Sequence, residues 1–364
     1  MIKVFEPSLT YKDKLSVLKA LSRNYISGTS PVVKEFEEKT AKTFDRKYAV
    51  AVTSGSVALD VAFQLINLDK NDEVIIPSFT IISCLSAVVR TGAKPVFCDV
   101  NSEDWNLDLN NLKKCVTSKT KAVLMVHTYG LVSDAHEISK FCKDNNIYLI
   151  EDAAEAHGQT VEEKKCGSFG DISLLSFYAN KHITTGEGGM VLTDKKEYRT
   201  NALNMRNLDF SEKRFVHENL YWNYRMSSLQ ASLGLSQLQN LEKVIKNKIK
   251  QGSYYLELLE SYQDYFQLPL KKNKNANNHF WVFGLVLKKN EIRDMVIRDL
   301  NERGIETRPF FWPLHLQPSL PKSFLSNKTH KVAEYLGENG LYIPIGDHVK
   351  KTDQRYIVKN LIEE

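Results

Sequence analysis

From residue 48 onward, short β-branched runs alternate with longer stretches whose apolar positions recur at helical spacing, the pattern of a mostly parallel sheet covered by helices. Residues 48–52 predict a strand that ends in the turn Ser54-Gly55-Ser56, and 57–68 predict the helix after it. Residues 73–76 predict the next strand and 81–91 a second helix; 94–99, 122–127 and 148–152 predict further strands, the last two separated by a helix over 134–145. The runs 173–178 and 189–193 flank Gly186-Glu187-Gly188-Gly189, which predicts a loop between strands rather than the start of a helix. A long helix over 229–259 carries the chain onward, and a strand at 280–287, a helix at 291–303, a short run at 341–345 and a C-terminal helix complete the pattern. The expected fold is α/β: a large domain over 1–240 with a mostly parallel mixed sheet flanked by helices, then a smaller α+β domain over 241–364, with no internal repeat.

Composition narrows the class. A chain of 364 residues exceeds the roughly 250–300 at which single cores stop growing. Hydrophobic residues at 42% and charged residues at 26% are those of a globular protein, not a disordered or membrane one. No apolar stretch approaches the roughly 20 residues needed to span a bilayer, and the first fourteen residues lack the apolar core of a signal peptide, so a cytoplasmic location is expected. Cys84, Cys98, Cys115, Cys142 and Cys166 form no CxxC pair and read as reduced, mostly buried thiols, with no metal site. The net charge of +5 is dispersed, and its densest run, Lys271-Lys272-Asn273-Lys274, lacks interleaved aromatics. That argues against nucleic acid as a partner, while a mild positive field favours phosphorylated substrates.

Three segments carry candidate chemistry. Thr53-Ser54-Gly55-Ser56-Val57 joins a strand to a helix through small residues, so that backbone N–H groups and a hydroxyl can converge on a phosphate at the positive helix end; a simple N-cap turn reads equally well. The segment lacks the lysine of a nucleotide-binding P-loop. Glu151-Asp152-Ala153-Ala154-Glu155 places acids at the carboxyl end of a buried strand, which in such sheets faces the ligand crevice. A carboxylate there suits a protonated heterocyclic nitrogen, a metal, or a cap on the next turn. Ser176-Phe177-Tyr178-Ala179-Asn180-Lys181-His182 brackets one lysine with apolar and small residues just before the glycine cluster. Burial disfavours an ammonium, and a neutral amine attacks an aldehyde to form a Schiff base. His182 is expected to face away from Lys181.

In this order and spacing the three segments resemble the DegT-type sugar aminotransferases of fold type I, most closely their GDP-perosamine synthase branch, and the resemblance runs from Glu6-Pro7-Ser8 through Glu306-Thr307-Arg308-Pro309 to Leu314-His315. It implies that pyridoxal 5'-phosphate is the cofactor and that Lys181 holds it as a Schiff base and later moves a proton. It implies that Asp152 pairs with the pyridinium nitrogen, preserving the ring as an electron sink. By the same resemblance Glu155 lies near the cofactor's O3′ side, Gly55, Ser56 and Ser176 hold the phosphate, and Asn223 reaches the phosphate of a neighbouring subunit, which makes the active form a homodimer with shared sites. Three positions depart from the family pattern: Ile81 stands where an aromatic ring usually stacks on the cofactor, Ser56 where threonine is usual, and Trp222 where glycine is common.

The resemblance further implies a ping-pong transfer from L-glutamate to a keto sugar, a nucleotide-linked 4-keto-6-deoxyhexose used for surface polysaccharide, with Arg308, His315 and the partner's Trp222 region as substrate contacts. Three other readings stand beside it. One is amination of a small phosphorylated ketone such as dihydroxyacetone phosphate. The second is a 3-dehydratase, which requires histidine at the position of Lys181. The third is a noncatalytic cofactor-binding sensor, which needs neither Lys181 nor Asp152.

Overall fold

A computed structural model describes residues 1–210, 213, 215–273, 276–288, 292–324 and 328–362; Lys274 and Glu291, named in the expectations above, lie outside the described residues. Seven strands form the main sheet: β1 (Tyr48–Val52), β2 (Glu73–Pro77), β3 (Lys94–Cys98), β4 (Thr120–Val126), β5 (Tyr148–Asp152), β6 (Ile172–Ser176) and β7 (Gly189–Thr193). Their spatial order is β1-β7-β6-β5-β4-β2-β3. The pairs β6 to β5, β5 to β4, β4 to β2 and β2 to β3 are parallel, and β7 runs antiparallel to both its neighbours. The carboxyl ends of β1, β2, β4, β5 and β6 therefore share one edge, the edge where open α/β sheets bind ligands.

Alternation along the strands feeds two separate cores. Ala49, Ala51, Ile75, Val123, Met125, Leu149 and Leu175 join one cluster, while Val50, Val52, Val74, Ile76, Leu124, Ile150 and Leu174 join the other. A strand buried on both faces reads as a continuous apolar run, and this is why the strands were visible from the sequence. Helices cover both faces. They include α1 (Tyr11–Ser22), α2 (Pro31–Thr43), α3 (Gly55–Gln64), α4 (Ile82–Thr91), α5 (Leu109–Cys115), α6 (Ala135–Asp144) and α7 (Lys196–Arg206).

Helix α8 (Ser228–Leu258) begins with a capping box in which the Ser227 hydroxyl accepts from Gln230 N–H while the Gln230 side chain accepts from Ser227 N–H. Leu235, Leu241 and Ile245 of α8 belong to the first core, and Tyr255 near its end belongs to a third. The expected boundary at residue 240 falls inside this helix. Beyond it a four-stranded antiparallel sheet orders Phe266–Gln267, Phe283–Leu287, Gly340–Ile343 and Arg308–Pro309, and helices Arg293–Glu302 and Lys351–Ile362 pack with it. The chain's beginning docks here as well: Ile2 bridges Ile305, and Val4 N–H donates to Glu306 Oε2 at 3.0 Å. Among the described residues no helix is long and apolar enough to cross a membrane. All five cysteines are free thiols, four buried and Cys115 partly so.

Candidate active site

Strand β5 ends in two carboxylates that point to opposite faces. Glu151, fully buried, accepts from His127 Nε2 at 3.0 Å, Gly167 N–H at 2.6 Å, Phe169 N–H at 2.8 Å, Gly170 N–H at 3.0 Å and Ser173 Oγ at 2.8 Å. Burial would push this acid up, but the His127 bond and charge and the glycine amides outweigh it and pull it down to about 2. His127, Glu151 and Cys166 lie close enough together to suggest a metal centre. Glu151 is instead saturated by donors, and the group braces the loop after β5.

Asp152 is also buried but poorly satisfied. Its Oδ1 accepts from Ala154 N–H at 3.0 Å, a local cap, and its Oδ2 has the Cys84 thiol at 3.8 Å. Burial pushes this carboxyl up, against the opposing Ala154 amide and the charge of Lys181. A carboxylate sheltered from water, with one lobe met only by a weak thiol donor, suits a cationic ring N–H.

Lys181 lies in the loop between β6 and β7. Its N–H donates to Tyr178 C=O at 3.0 Å, Phe177 N–H donates to Gly188 C=O at 2.8 Å, and Thr185 N–H donates back to Phe177 C=O at 2.9 Å. The Lys181 side chain is 9% exposed and its Nζ donates to Glu155 Oε1 at 3.1 Å. Glu155 Oε2 accepts from Tyr129 N–H at 2.9 Å. Burial pushes Glu155 up, and Lys181 opposes that. The amine thus meets a carboxylate in addition to the apolar and small residues that bracket it in sequence. His182 turns into a separate buried group, its ring 6.2 Å from that of His157.

The turn after β1 converges on the same edge. The Ser54 hydroxyl caps α3 by accepting from Val57 N–H at 3.2 Å. A Cβ at Gly55 would lie 2.8 Å from Ser176 Cβ, and the Ser56 hydroxyl meets Ser83 Oγ at 2.7 Å. Small residues, the amino end of α3 and the hydroxyls of Ser56, Ser83 and Ser176 so form a cradle that fits a phosphate. Of the glycines after Lys181, Gly189 packs against this turn. A Cβ at Gly189 would fall 2.2 Å from Ser54 C=O, so this glycine lets β7 approach the backbone of the turn after β1.

The remaining predicted residues lie as follows. Ile81 is 40% exposed and caps α4. Asn223 and Trp222 are exposed, Trp222 at 65%, on the segment that meets the residue after α7 through the Asn207–Asn223 bridge and β1 through the Val52–Arg225 bridge. Arg308 pairs with Glu306 Oε1 at 2.5 Å on the edge strand of the smaller sheet. His315 has both ring nitrogens occupied, by Ser78 Oγ at 2.6 Å and Glu334 Oε1 at 3.0 Å.

Three residues at the site escaped the sequence reading. The Trp281 ring centroid lies 3.8 Å from Lys181 Nζ, Tyr129 stacks on Trp281 at 6.0 Å and 27°, and Cys84 touches Asp152. Tyr129 follows the carboxyl end of β4, so applying the strand-end rule to every strand finds it. Trp281 arrives from the smaller sheet and carries no local signal.

This arrangement has known relatives. The chain matches the DegT/DnrJ/EryC1/StrS aminotransferase family over residues 7–362. It belongs to that family. It is 34% identical over 363 residues to a GDP-perosamine synthase of Escherichia coli O157:H7, covering all of this chain and 98% of the relative. It is 30% identical to a dTDP-4-dehydro-2,3,6-trideoxy-D-glucose 4-aminotransferase of Saccharopolyspora spinosa, over 87% of this chain and 86% of that one. The crystal structure of an aminotransferase from Psychrobacter cryohalolentis superposes with a TM-score of 0.92 at 27% identity, over 98% and 97% of the two chains. The fold is that of the sugar aminotransferases, and the chain is an aminotransferase.

Proposed function

We propose that this enzyme binds pyridoxal 5'-phosphate through Lys181 and moves an amino group from L-glutamate to a nucleotide-linked 4-keto-6-deoxyhexose, in the manner of a GDP-perosamine synthase. The observation that carries the reading is the convergence of Lys181, Glu155 and Asp152 beside the Gly55, Ser56 and Ser176 cradle on one sheet edge. Bound there, the cofactor supplies an aldehyde that exchanges amines and a ring that accepts electrons.

The protein's own residues do the rest. Asp152 holds the ring nitrogen's proton. With the cofactor bound, Lys181 would take and return a proton beside it through Nζ, and its flexible four-carbon stem supplies the reach. Glu155 receives the amine when it is charged and, through its Tyr129 bond, fixes the wall beside it. Gly55, Ser56 and Ser176, with Asn223 of a second subunit, hold the phosphate. Ile81 offers an aliphatic contact to the ring, and Arg308 and the partner's Trp222 region serve as contacts for the acceptor; the occupied nitrogens of His315 favour a role in holding the β2 end against helix Lys331–Asn339.

Two relatives named for nucleotide-sugar chemistry support a sugar acceptor over a small phosphorylated ketone. Retention of Lys181 argues against a dehydratase, and Lys181 with Asp152 argues against a sensor. Incubation with L-glutamate and a panel of GDP- and dTDP-linked 4-keto-6-deoxyhexoses and dihydroxyacetone phosphate, read by mass spectrometry, tests the reading. Amine gain on a nucleotide sugar is expected; amination of dihydroxyacetone phosphate alone, or loss of water without amine gain, overturns it.

A further inference from the structure

We infer that Trp281 is a positioning residue for the Lys181 amine, clamping it together with Glu155 whenever it is not bonded to the cofactor; this rests on the reading of Lys181 as the cofactor-bonding lysine. A lysine that leaves and rejoins a cofactor has four rotatable side-chain bonds and needs a defined waiting position. An ammonium in a sheltered crevice is costly unless paired. Two groups meet this one. Glu155 Oε1 lies 3.1 Å from Nζ, and the Trp281 ring centroid lies 3.8 Å from it, well inside the roughly 6 Å reach of a cation–π contact.

The indole is itself fixed. Its Nε1–H donates to Asn180 C=O at 2.9 Å, in the residue preceding the lysine. Its ring stacks on Tyr129, whose N–H donates to Glu155 Oε2 at 2.9 Å. Its backbone carbonyl accepts from Lys248 Nζ of α8 at 3.1 Å, and the same amine donates to Ile345 C=O at 3.0 Å. Lys181, Glu155, Tyr129 and Trp281 therefore close a circuit of contacts, and Lys248 ties that circuit to the long helix and the smaller sheet. A residue that merely filled the core would need neither the hydrogen bond to Asn180 nor a cation on its face.

The test uses the cofactor-free protein first. Lys181 is modified with a small amine-reactive reagent across a pH series and followed by peptide mass spectrometry in wild type, Trp281→Leu, Trp281→Phe and Lys248→Met. Trp281→Leu is expected to speed modification at fixed pH by about thirtyfold, the size of a desolvated cation–π contact, and Trp281→Phe to restore part of the protection. In the loaded enzyme the L-glutamate half-reaction should slow in Trp281→Leu with little change in half-saturating glutamate. Lys248→Met, which keeps the ring but frees its backbone anchor, should fall between wild type and Trp281→Leu. Should Trp281→Leu fail to fold, the Trp281→Phe and Lys248→Met profiles decide. Labelling rates and pH profiles identical to wild type in the folded variants overturn the clamp. Borohydride reduction of the wild-type holoenzyme separates the two readings: cofactor fixed to another lysine sinks the function proposed for Lys181, whereas unaltered labelling sinks only the role given to Trp281.

Discussion

At the scale of single residues, the strand end at Glu151 and Asp152 separates two tasks by geometry alone, because successive strand side chains face opposite ways. Glu151 receives five donors and becomes structural, whereas Asp152 receives one amide and a thiol and stays available. Lys181→Ala should abolish the visible absorption band of cofactor joined to the protein, and Asp152→Asn should keep that band while slowing the L-glutamate half-reaction by roughly a hundredfold or more, as loss of a preorganised charge does; stopped-flow absorbance reads both. Glu151 predicts a pH effect of definite sign. Its folded pKa of about 2 lies below the ordinary 4.5, so its stabilisation, roughly 3 kcal/mol, is complete above the ordinary value and is lost as pH falls from 4.5 through 2. Urea unfolding between pH 5 and 3 should therefore show a shallower pH slope in Glu151→Gln than in wild type. The sequence placed Lys181, Asp152 and Glu155 because each lies within a few residues of a strand end. Residue chemistry alone left the division of labour between Glu151 and Asp152 open, and only the family resemblance singled out Asp152, since that division depends on the donors of residues 167–173 and on His127.

At the scale of elements, local pattern and capping account for most boundaries. The predicted runs 48–52, 148–152 and 189–193 coincide with β1, β5 and β7. The helix predicted over 57–68 starts earlier, at Gly55, because Ser54 caps it, and ends at Gln64 just before Asn67 adopts a φ of 49°. The strand predicted over 280–287 begins only at Phe283, since Phe280 has a φ of 50° and its N–H is held by Asn278 Oδ1 at 2.7 Å, a turn that periodicity does not register. Helices α1 and α2 carried no prediction; α1 leaves Tyr11, Leu18 and Leu21 exposed, which blurs the helical spacing. The phosphate turn offers a sharp test of element packing. Gly55→Val would set a branched side chain where even a Cβ lies 2.8 Å from Ser176 Cβ. It should weaken cofactor affinity by tenfold or more, measured by fluorescence titration, with a smaller effect on Tm, because the clash sits at the exposed mouth of the sheet and not in either core.

For the whole molecule, the question is whether a single chain makes a complete site. The segment with Phe215, Leu220 and Trp222 exposes 70%, 99% and 65% of those side chains, a concentration of apolar surface that supports burial against a second copy. Asn223 stands in this segment, exposed, with its Oδ1 accepting from Arg225 N–H at 3.3 Å. If each Asn223 completes the phosphate site of its partner, Lys181→Ala and Asn223→Ala damage different halves of a shared site. Loss of one hydrogen bond to a charged group should leave Asn223→Ala with roughly one to ten per cent of wild-type turnover. Mixing equal amounts of the two variants under conditions that exchange subunits makes about half the dimers mixed. Each mixed dimer then carries one intact site and one doubly damaged site, so turnover should recover to about a quarter of wild type. A mixture no more active than the average of its two components would place Asn223 and Lys181 in the same chain's site and remove the requirement for a dimer. Carrying different affinity tags on the two variants and isolating the doubly tagged dimer from the same samples confirms that subunits have exchanged, so the absence of recovery cannot be traced to unmixed homodimers.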